Sequence, residues 1–356
     1  MVGFDGSTLP RVLAVDDSAV ARAMYRELLT PNNGFELIAT APNADIARRK
    51  LTAMQPDILV LDIEMPGEDG LSLLRWVMKN HPLPVVVASS YSFRGAEQTL
   101  EAFSLGAVEV VCKTSVAVTD GSKGFDQALL GALAAAARVR RRTPRKPALA
   151  GSTPVPASAP SPVMHRRGTL VVIGASTGGT EVLGRLIGEM PADFPPTLVV
   201  QHMPPIYTRA FAGRLDTLGQ VRVEEARDNQ MIGTGHVLIA PGGKQMQVQP
   251  GAAGPVARIY DGVQVNHHAP SVDVLFQSAA QHYRGRTLGV LLTGMGNDGA
   301  AGLLAIREAG GMTIAQDEAS SVVWGMPQEA IKLGAAQAVL PVERIITRIV
   351  TWLRRG

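Results

Sequence analysis

The sequence predicts an α/β protein of two domains, each built on a doubly wound parallel sheet. Its 356 residues are 46% hydrophobic, which suits two ordinary cores better than one. Short continuous apolar runs alternate with amphipathic stretches in both halves, as strands do when helices cover both faces of a sheet. A proline-rich stretch separates the halves, so we predict domains at 10–130 and 168–356 joined by a linker at 138–167.

The N-terminal strands are predicted from runs of Val, Leu and Ile. These runs are Val12–Val15, Ile58–Leu61, Val85–Val87 and Val108–Val111. Amphipathic segments such as Ala19–Leu29 lie between the runs and predict helices. Since a helix separates one strand from the next, the strands are expected to be parallel.

Polar side chains stand where these predicted strands end, and they are Asp16, Asp17, Asp62, Ser89 and Lys113. The carboxyl ends of parallel strands share one edge of a sheet, so the side chains are expected to converge there. Three packed carboxylates repel one another unless a hard cation such as Mg²⁺ satisfies them. The set predicts transfer of a phosphoryl group to Asp62. Mg²⁺ and the Lys113 ammonium would offset its charge, and the Ser89 hydroxyl would bond to a phosphoryl oxygen.

This order and spacing, with Asp62-Ile63-Glu64-Met65-Pro66-Gly67 and then Asp69-Gly70, resembles the receiver domain of bacterial response regulators over nearly all of residues 10–128. The resemblance implies a five-stranded, flavodoxin-like fold and phosphorylation of Asp62 by a histidine kinase. It also implies a Mg²⁺ site whose ligands are Asp16, Asp17, Asp62 and the Glu64 main-chain carbonyl. Two positions depart from the family pattern. Thr114 replaces the usual proline after the lysine, and Val110 stands where an aromatic switch residue is frequent.

The stretch 138–167 contains eight Lys or Arg residues, six prolines, no acid and no aromatic residue. Removing its eight positive charges from the net charge of +3 leaves −5 for the remainder of the chain. This composition is typical of an extended, solvated linker that cannot bury a core. A basic binding arm is the less favoured alternative.

The pattern of strands and helices starts again after the linker. Strands are predicted at Leu170–Ile173, Leu198–Val200 and Leu288–Leu292, and helices at Glu181–Met190 and Val272–Tyr283. Ser271 is well placed to cap the second helix. Between about 220 and 265, glycine and proline separate short strand-like pieces that predict hairpins. These pieces are Val237–Ala240, Met246–Val248 and Val256–Tyr260.

The turn Gly174-Ala175-Ser176-Thr177-Gly178-Gly179 follows an apolar strand directly and fits the pattern G-x-S-x-G. Such a turn exposes a serine nucleophile and aims the next backbone amide, here that of Thr177, at a developing oxyanion. His202 follows the next strand and is the best-placed general base. Asp298 follows a later strand and completes a Ser-His-Asp triad. The glycine-rich loop around Met295 is a second candidate source of an oxyanion donor.

The second half of the sequence also allows three rival interpretations. The chain order Ser, His, Asp differs from that of α/β-hydrolases, so the motif does not predict that fold. A dinucleotide site is disfavoured because Ser176 replaces the middle glycine of G-x-G-x-x-G. His267 and His268 are competing bases. His268 immediately precedes a predicted helix, and this position favours a loop or substrate-groove residue over the base.

Five segments together resemble the catalytic domain of the chemotaxis methylesterase family, CheB, over about 168–350. They are Gly174–Gly179, Gln201–Pro204, His268–Asp273, Thr293–Gly299 and Asp317–Pro327. With the receiver in front, the whole architecture matches that family. The resemblance implies hydrolysis of glutamyl methyl esters on chemoreceptors, deamidation of particular receptor glutamines, and a triad of Ser176, His202 and Asp298. It implies no cofactor for the esterase reaction.

The remaining expectations concern location and partners. No apolar stretch approaches the roughly 18 residues that span a bilayer, so we expect a cytoplasmic protein without direct membrane insertion. Cys112, the single cysteine, is interpreted as a packed thiol. A response regulator whose C-terminal domain only binds DNA or a partner is the main alternative. We see no basic recognition helix beyond residue 168 and expect no nucleic-acid partner.

Overall fold

The computed structural model describes residues 9–89, 93–113, 121–140 and 168–354. The chain divides into two compact units, Met1–Pro147 and Ala148–Gly356. Thr114 and residues 141–167 of the predicted linker lie outside the described residues. Within the described residues, no helix combines the length and apolar character that crossing a membrane demands.

The first unit has one five-stranded parallel sheet with strand order β2-β1-β3-β4-β5. Its strands are β1 Arg11–Val15, β2 Glu36–Ala41, β3 Ile58–Asp62, β4 Val85–Ser89 and β5 Glu109–Cys112. Its helices are α1 Ala19–Leu28, α2 Ala44–Met54, α3 Gly70–Asn80, α4 Phe93–Ser104 and α5 Gly121–Arg140. The predicted doubly wound fold is confirmed.

Local sequence explains where these helices begin. The side chains of Ser18, Asn43 and Asp69 accept hydrogen bonds from backbone amides in the first turns of α1, α2 and α3, which satisfies donors that a helix leaves unpaired. Helix α5 continues to Arg140, so the first three residues of the predicted linker, 138–140, are helical. An alanine-rich stretch favours helix, and this propensity extends the helix into the basic segment.

The second unit contains a seven-stranded parallel sheet with strand order β15-β14-β13-β6-β7-β10-β8 and a three-stranded antiparallel sheet with order β11-β12-β9. Its strands are β6 Leu170–Ala175, β7 Thr197–Gln201, β8 Arg222–Glu225, β9 Gln230–Met231, β10 His236–Ile239, β11 Gln245–Gly251, β12 Gly254–Tyr260, β13 Thr287–Leu291, β14 Met312–Gln316 and β15 Ala338–Leu340. Its helices are α6 Gly179–Glu189, α7 Pro205–Asp216, α8 Val272–Tyr283, α9 Ala300–Glu308, α10 Met326–Lys332 and α11 Val342–Arg354.

One expectation for the region 220–265 is wrong. The segment Val237–Ala240 is not part of a hairpin, because β10 pairs in parallel with both β7 and β8. Its run of Val, Leu and Ile is fully buried, as in a central parallel strand covered on both faces. The other two pieces do form a hairpin, since β11 and β12 pair antiparallel from Gln245 opposite Tyr260 to Gly251 opposite Gly254.

Close packing of α8 on β6 fixes the geometry beneath the candidate site. A Cβ added to Gly174 would lie 2.2 Å from Val272 Cγ1, so only glycine lets the first residue of α8 approach the strand this closely. Val272, Leu275 and Phe276 of this helix are fully buried in the core. The start of α8 is therefore held against the strand that leads to Ser176.

Candidate active site

Ser176 leaves the end of β6 in a tight turn before α6. Its backbone amide donates to the Thr293 carbonyl at 3.0 Å. Gly178 has a φ of +77°, a left-handed conformation that glycine adopts without strain. A Cβ on Gly179 would lie 2.2 Å from Gln201 Oε1. The two glycines are thus required by the turn and by the side chain packed against it.

His202 lies beside this turn because β6 and β7 are neighbours in the parallel sheet. Ala175 pairs with Gln201, and the His202 amide donates to the Ala175 carbonyl at 3.1 Å. Adjacent strands are about 4.8 Å apart, so Ser176 and His202 continue two neighbouring strands from the same register. The Gln201 side chain joins them, because its Nε2 donates to the carbonyls of Ser176 at 3.0 Å and His202 at 3.1 Å.

The imidazole of His202 contacts the carboxylate of Asp298. Nε2 of His202 lies 2.8 Å from Asp298 Oδ2, and the side chains are 7% and 1% exposed. The other ring nitrogen, Nδ1, is buried and has no hydrogen-bond partner within the described part of the chain. The carboxylate therefore occupies one nitrogen and leaves the other available to a neighbouring group.

Asp298 is bound by more donors than His202 alone. Its Oδ1 accepts from Ser271 Oγ at 2.7 Å and from Asn266 Nδ2 at 2.8 Å, and Oδ2 accepts from the Val272 amide at 2.7 Å. Burial by itself would raise the pKa of this carboxyl. The hydrogen bond and charge of His202, with the bonds from Asn266 and Ser271, outweigh burial and hold the pKa below its usual range. Asp298 stays ionised, as a residue that orients an imidazole should.

His268 stacks on His202, the predicted base, instead of replacing it. The rings of His202 and His268 have centroids 3.6 Å apart and planes 12° from parallel. Burial, followed by the charge of His202, lowers the pKa of His268 to about 4, so this ring is neutral at neutral pH. His267 is exposed to solvent. This geometry agrees with the interpretation of His268 as a residue that lines the site.

The loop after β13 contacts the turn that carries Ser176. The Thr293 hydroxyl donates to the Thr177 carbonyl at 2.9 Å, and its amide donates to Gln316 Oε1 at 2.8 Å. A Cβ on Gly294 would lie 2.7 Å from Ser176 Cβ, so glycine permits the loop to reach the serine. Met295 follows and is half-buried. The roles of the Thr177 and Met295 amides as oxyanion donors stay predictions.

The polar groups of the first unit also meet at one sheet edge. Carboxylate oxygens of Asp16, Asp17 and Asp62 lie within 4.8 Å of one another. Nζ of Lys113 lies 2.8 Å from Asp16 Oδ2 and 2.6 Å from Asp62 Oδ2. The fifth predicted residue of the set, Ser89, is buried at the end of β4.

Burial and charge oppose each other in this cluster. Burial raises the pKa of Asp62, and the charge of Lys113 offsets this effect only in part. Burial lowers the pKa of Lys113, but the charges of Asp62 and Asp16 outweigh this effect. Both pKa values are therefore above their ordinary values. Three carboxylates around one ammonium retain excess negative charge, and carboxylate oxygens are the ligands that Mg²⁺ prefers. The donor set therefore fits a magnesium ion.

The remaining predictions for the first unit concern Glu64, Val110 and Cys112, and their outcomes differ. The Glu64 amide donates to Asp62 Oδ1 at 2.9 Å, which places Glu64 at the site, whereas its carbonyl as a metal ligand stays a prediction. Val110 packs against the core at the position expected for an aromatic residue. Cys112 is half-buried at the end of β5, so the interpretation as a packed thiol holds only in part.

Sequence reasoning missed several residues that contact the candidate sites. They are Tyr25, Gln201, Asn266, Ser271 as a partner of Asp298, and Thr293. The Tyr25 hydroxyl donates to Asp16 Oδ2 at 3.1 Å from within α1. A helix core position gives no sign that its hydroxyl points at a carboxylate. Gln201, adjacent to His202 at a strand end, is the one that its position in the sequence could have indicated.

Comparison with known proteins gives the same division of the chain. Residues 171–349 match the family model of the CheB methylesterase, and residues 12–118 match that of the response regulator receiver domain. A protein-glutamate methylesterase/protein-glutamine glutaminase of Bordetella parapertussis is 46% identical over 344 residues, covering 96% of this chain and 97% of the relative. A protein of Pseudomonas aeruginosa with that name, numbered 2, is 44% identical over 348 residues, covering 97% of both.

The solved catalytic domain of Thermotoga maritima CheB methylesterase is similar to the second half. It is 38% identical, with a TM-score of 0.51, and the match covers 52% of this chain and 98% of that domain. The matches to both family models and the identity along nearly the whole length agree with the two sites described above. The chain belongs to the CheB methylesterase family and carries that family's catalytic domain behind a response-regulator receiver domain.

Proposed function

We propose that the chain hydrolyses glutamyl methyl esters on chemoreceptors, with Ser176 as nucleophile, His202 as general base and Asp298 as the group that orients the base. The observation that carries this proposal is the state of the His202 ring. Asp298 holds Nε2 at 2.8 Å, while Nδ1 is buried and has no partner among the described residues. One nitrogen of this imidazole is held by a carboxylate and the other is free. His202 follows the strand next to the one that leads to Ser176, so the ring is arranged for proton transfer.

In the first step the Ser176 hydroxyl oxygen attacks the ester carbonyl, and its proton passes to Nδ1 of His202. The ionised Asp298 stabilises the resulting imidazolium. The tetrahedral intermediate carries negative charge on the former carbonyl oxygen, which the amides of Thr177 and Met295 are proposed to bind. Collapse of the intermediate breaks the C–O bond, and His202 returns the proton to the departing methoxide, which leaves as methanol.

In the second step water attacks the acyl-serine ester. His202 accepts a proton from the water and then gives it to Ser176, so that glutamate and the free serine are released. The same sequence applied to a glutamine side chain expels ammonia and deamidates the residue. Both reactions are acyl transfers that need the same nucleophile, base and oxyanion donors.

We further propose that a histidine kinase phosphorylates Asp62 and thereby raises the esterase activity. Asp16, Asp17, Asp62 and the Glu64 carbonyl would hold Mg²⁺. Bound Mg²⁺ supplies positive charge that offsets the phosphoryl oxygens. Lys113 supplies a second positive charge, since its ammonium lies within 2.8 Å of Asp16 and Asp62, and Ser89 is proposed to bond to a phosphoryl oxygen. A cytoplasmic location agrees with a chain that has one cysteine.

Methanol release from a methylated chemoreceptor fragment tests the esterase proposal. Replacing Ser176 with alanine removes the attacking atom, so we expect loss of at least about 1,000-fold in kcat. Ser104→Ala is a matched control, because the Ser104 hydroxyl donates to the Leu100 carbonyl in α4, in the first unit. It should release methanol at the wild-type rate. Wild-type activity in Ser176→Ala would contradict the proposal.

A further inference from the structure

A strained two-residue turn lies beside the candidate triad. Val265 and His268 exchange both backbone hydrogen bonds, at 3.0 and 2.9 Å, and Asn266 and His267 between them have φ values of +51° and +68°. Positive φ at both central residues is typical of the type I′ turn, in which glycine is usual at the second. Residues other than glycine rarely adopt a positive φ, so the surrounding contacts must stabilise the turn.

Those contacts come from Gln245, which bonds to the last residue of the turn and to the segment just before it. The Gln245 side chain is 1% exposed, and its Nε2 donates to the carbonyls of Val263 and His268, each at 3.0 Å. Its Oε1 accepts from the Ser271 amide at 2.9 Å. A single buried amide therefore anchors the turn to the start of α8.

The turn delivers the Asn266 amide between two buried carboxylates. Nδ2 of Asn266 donates to Asp273 Oδ2 at 2.7 Å and to Asp298 Oδ1 at 2.8 Å. Asp273 is 6% exposed and Asp298 is 1% exposed. The two hydrogens of one amide thus serve two carboxylates that would otherwise repel each other.

Asp273 takes no part in the proposed chemistry, and its ionisation reflects this crowding. Burial, together with the charge of Asp298, raises the pKa of Asp273, while bonds from the Gly302 amide and from Asn266 lower it. The Asn266 bond also lowers the pKa of Asp298. One neutral side chain therefore stabilises the ionised forms of both acids.

The two oxygens of Asp298 have different partners. Oδ1 accepts from Asn266, from the Ser271 hydroxyl and from the Asp273 amide, whereas Oδ2 accepts from His202 and from the Val272 amide. Binding Oδ1 on one side fixes the plane of the carboxylate, and this leaves Oδ2 directed at Nε2 of His202.

We propose that Asn266 is a positioning residue for ester hydrolysis, whose amide separates Asp298 from Asp273 and directs Asp298 Oδ2 at the His202 ring. This proposal rests on the triad of the proposed function. Asn266 acts through Asp298 and His202 and does not touch the reacting atoms. Its loss should lower kcat and leave KM nearly unchanged, because substrate binding does not depend on the rotation of His202.

Asn266→Gly tests the side chain alone, since glycine accepts a φ of +51° without strain. In the full-length protein, we expect kcat for methanol release to fall by about 10- to 100-fold, because hydrogen bonds to charged groups are stronger than neutral ones. The matched control is Asn229→Gly, the same substitution at another asparagine with a positive φ of +59°, whose exposed side chain bonds to Asp228 and Arg258. It should keep kcat within about two-fold of wild type.

A double-mutant cycle distinguishes the positioning of Asp298 from a general destabilisation of the fold. If Asn266 acts through Asp298, the variant Asp298→Ala with Asn266→Gly should be no less active than Asp298→Ala alone. Additive losses in kcat, or an unchanged kcat in Asn266→Gly, would overturn the proposal. Ser176→Ala in the same assay tests the proposed function separately. If this variant keeps activity, the triad assignment is wrong, regardless of the kcat of Asn266→Gly.

Discussion

The His268 imidazole lies flat against that of His202, with ring centroids 3.6 Å apart. A neutral ring in this position restricts how His202 rotates, and a charged one would repel the imidazolium that forms during the reaction. Burial, more than any neighbouring charge, lowers the His268 pKa to about 4. The site therefore keeps His268 neutral at neutral pH.

This depressed pKa predicts a pH-dependent stability. Between about pH 4 and pH 6.5 the unfolded chain binds a proton at His268 that the folded chain does not bind, so the His268 contribution to stability falls as pH drops through this window and is level above it. His268→Phe removes the titrating group and keeps a ring against His202. Urea unfolding should show a smaller loss of stability between about pH 7 and pH 5 for His268→Phe than for wild type. Equal losses would show that His268 is not buried in its neutral form.

Tyr25 makes a second prediction at this scale. Its side chain is fully buried, and its hydroxyl donates to Asp16 Oδ2 at 3.1 Å. Tyr25→Phe leaves this buried carboxylate with one donor fewer, so we expect the free energy of unfolding of the metal-free protein to fall by about 1 to 3 kcal/mol. Tyr260→Phe, at a residue 37% exposed, is the control and should change it by less than about 0.5 kcal/mol. Equal effects in urea unfolding would argue against the Tyr25–Asp16 bond.

At the scale of elements, strand ends place most of the chemistry. Asp16, Asp62, Ser89, Ser176 and His202 all stand at or next to the carboxyl end of a parallel strand, and an apolar run followed by a polar residue is visible in the sequence. This is why these site residues were predictable. Ser176 and His202 come from neighbouring strands, so their proximity also follows from the order of β6 and β7.

Asn266, one of the contacts that sequence reasoning missed, lies where no periodicity exists. Asn266 sits in an irregular turn whose conformation is set by Gln245, a residue 21 positions earlier that the sequence does not connect with it. Strand β2 was also missing from the clear apolar runs. It is an edge strand with only Ala41 buried, so its pattern is mixed. Strand β10 was misplaced because a four-residue apolar run fits a hairpin and a central parallel strand equally well.

Two glycines within helices supply the third prediction. Gly179→Ala would place a Cβ 2.2 Å from Gln201 Oε1 and 2.7 Å from Ala175 Cβ, so it should cost about 1 to 3 kcal/mol of stability. It should also reduce methanol release, because Gln201 joins the segments that carry Ser176 and His202.

The matched change is Gly213→Ala on the exposed side of α7, where an added Cβ would have no atom of the described residues within 4 Å. It should add about 0.5 to 1 kcal/mol of stability, since alanine loses less backbone freedom in a helix than glycine. Thermal unfolding of both variants measures the two effects. A stabilising Gly179→Ala would contradict the close packing of the nucleophile turn.

At the scale of the whole molecule, one architecture is used twice with different chemistry. Both units place their polar residues at the carboxyl edge of a parallel sheet, as ligand sites in open α/β sheets generally are. The first edge has three carboxylates and a lysine, whereas the second has a serine, a histidine and an aspartate. The fold therefore fixes where the chemistry lies, and the residues at the edge decide what it is.

Regulation between the units gives the fourth prediction. We hypothesise that the unphosphorylated receiver lowers the esterase activity and that phosphorylation of Asp62 removes this inhibition. A fragment of roughly residues 150–356 should then release methanol faster than the unphosphorylated full-length protein. The related catalytic domain of Thermotoga maritima was crystallised as a separate domain. Equal or lower activity of the fragment would argue against inhibition by the receiver.

The most direct test of a phosphorylation-controlled serine esterase is methanol release by the full-length protein with and without a small-molecule phosphodonor and Mg²⁺. The account predicts that the phosphodonor accelerates wild type, that Asp62→Asn keeps a basal rate without acceleration, and that Ser176→Ala is inactive in both conditions. Acceleration of Asp62→Asn equal to that of wild type would contradict the role of Asp62. Methanol release by Ser176→Ala at the wild-type rate would contradict the account as a whole.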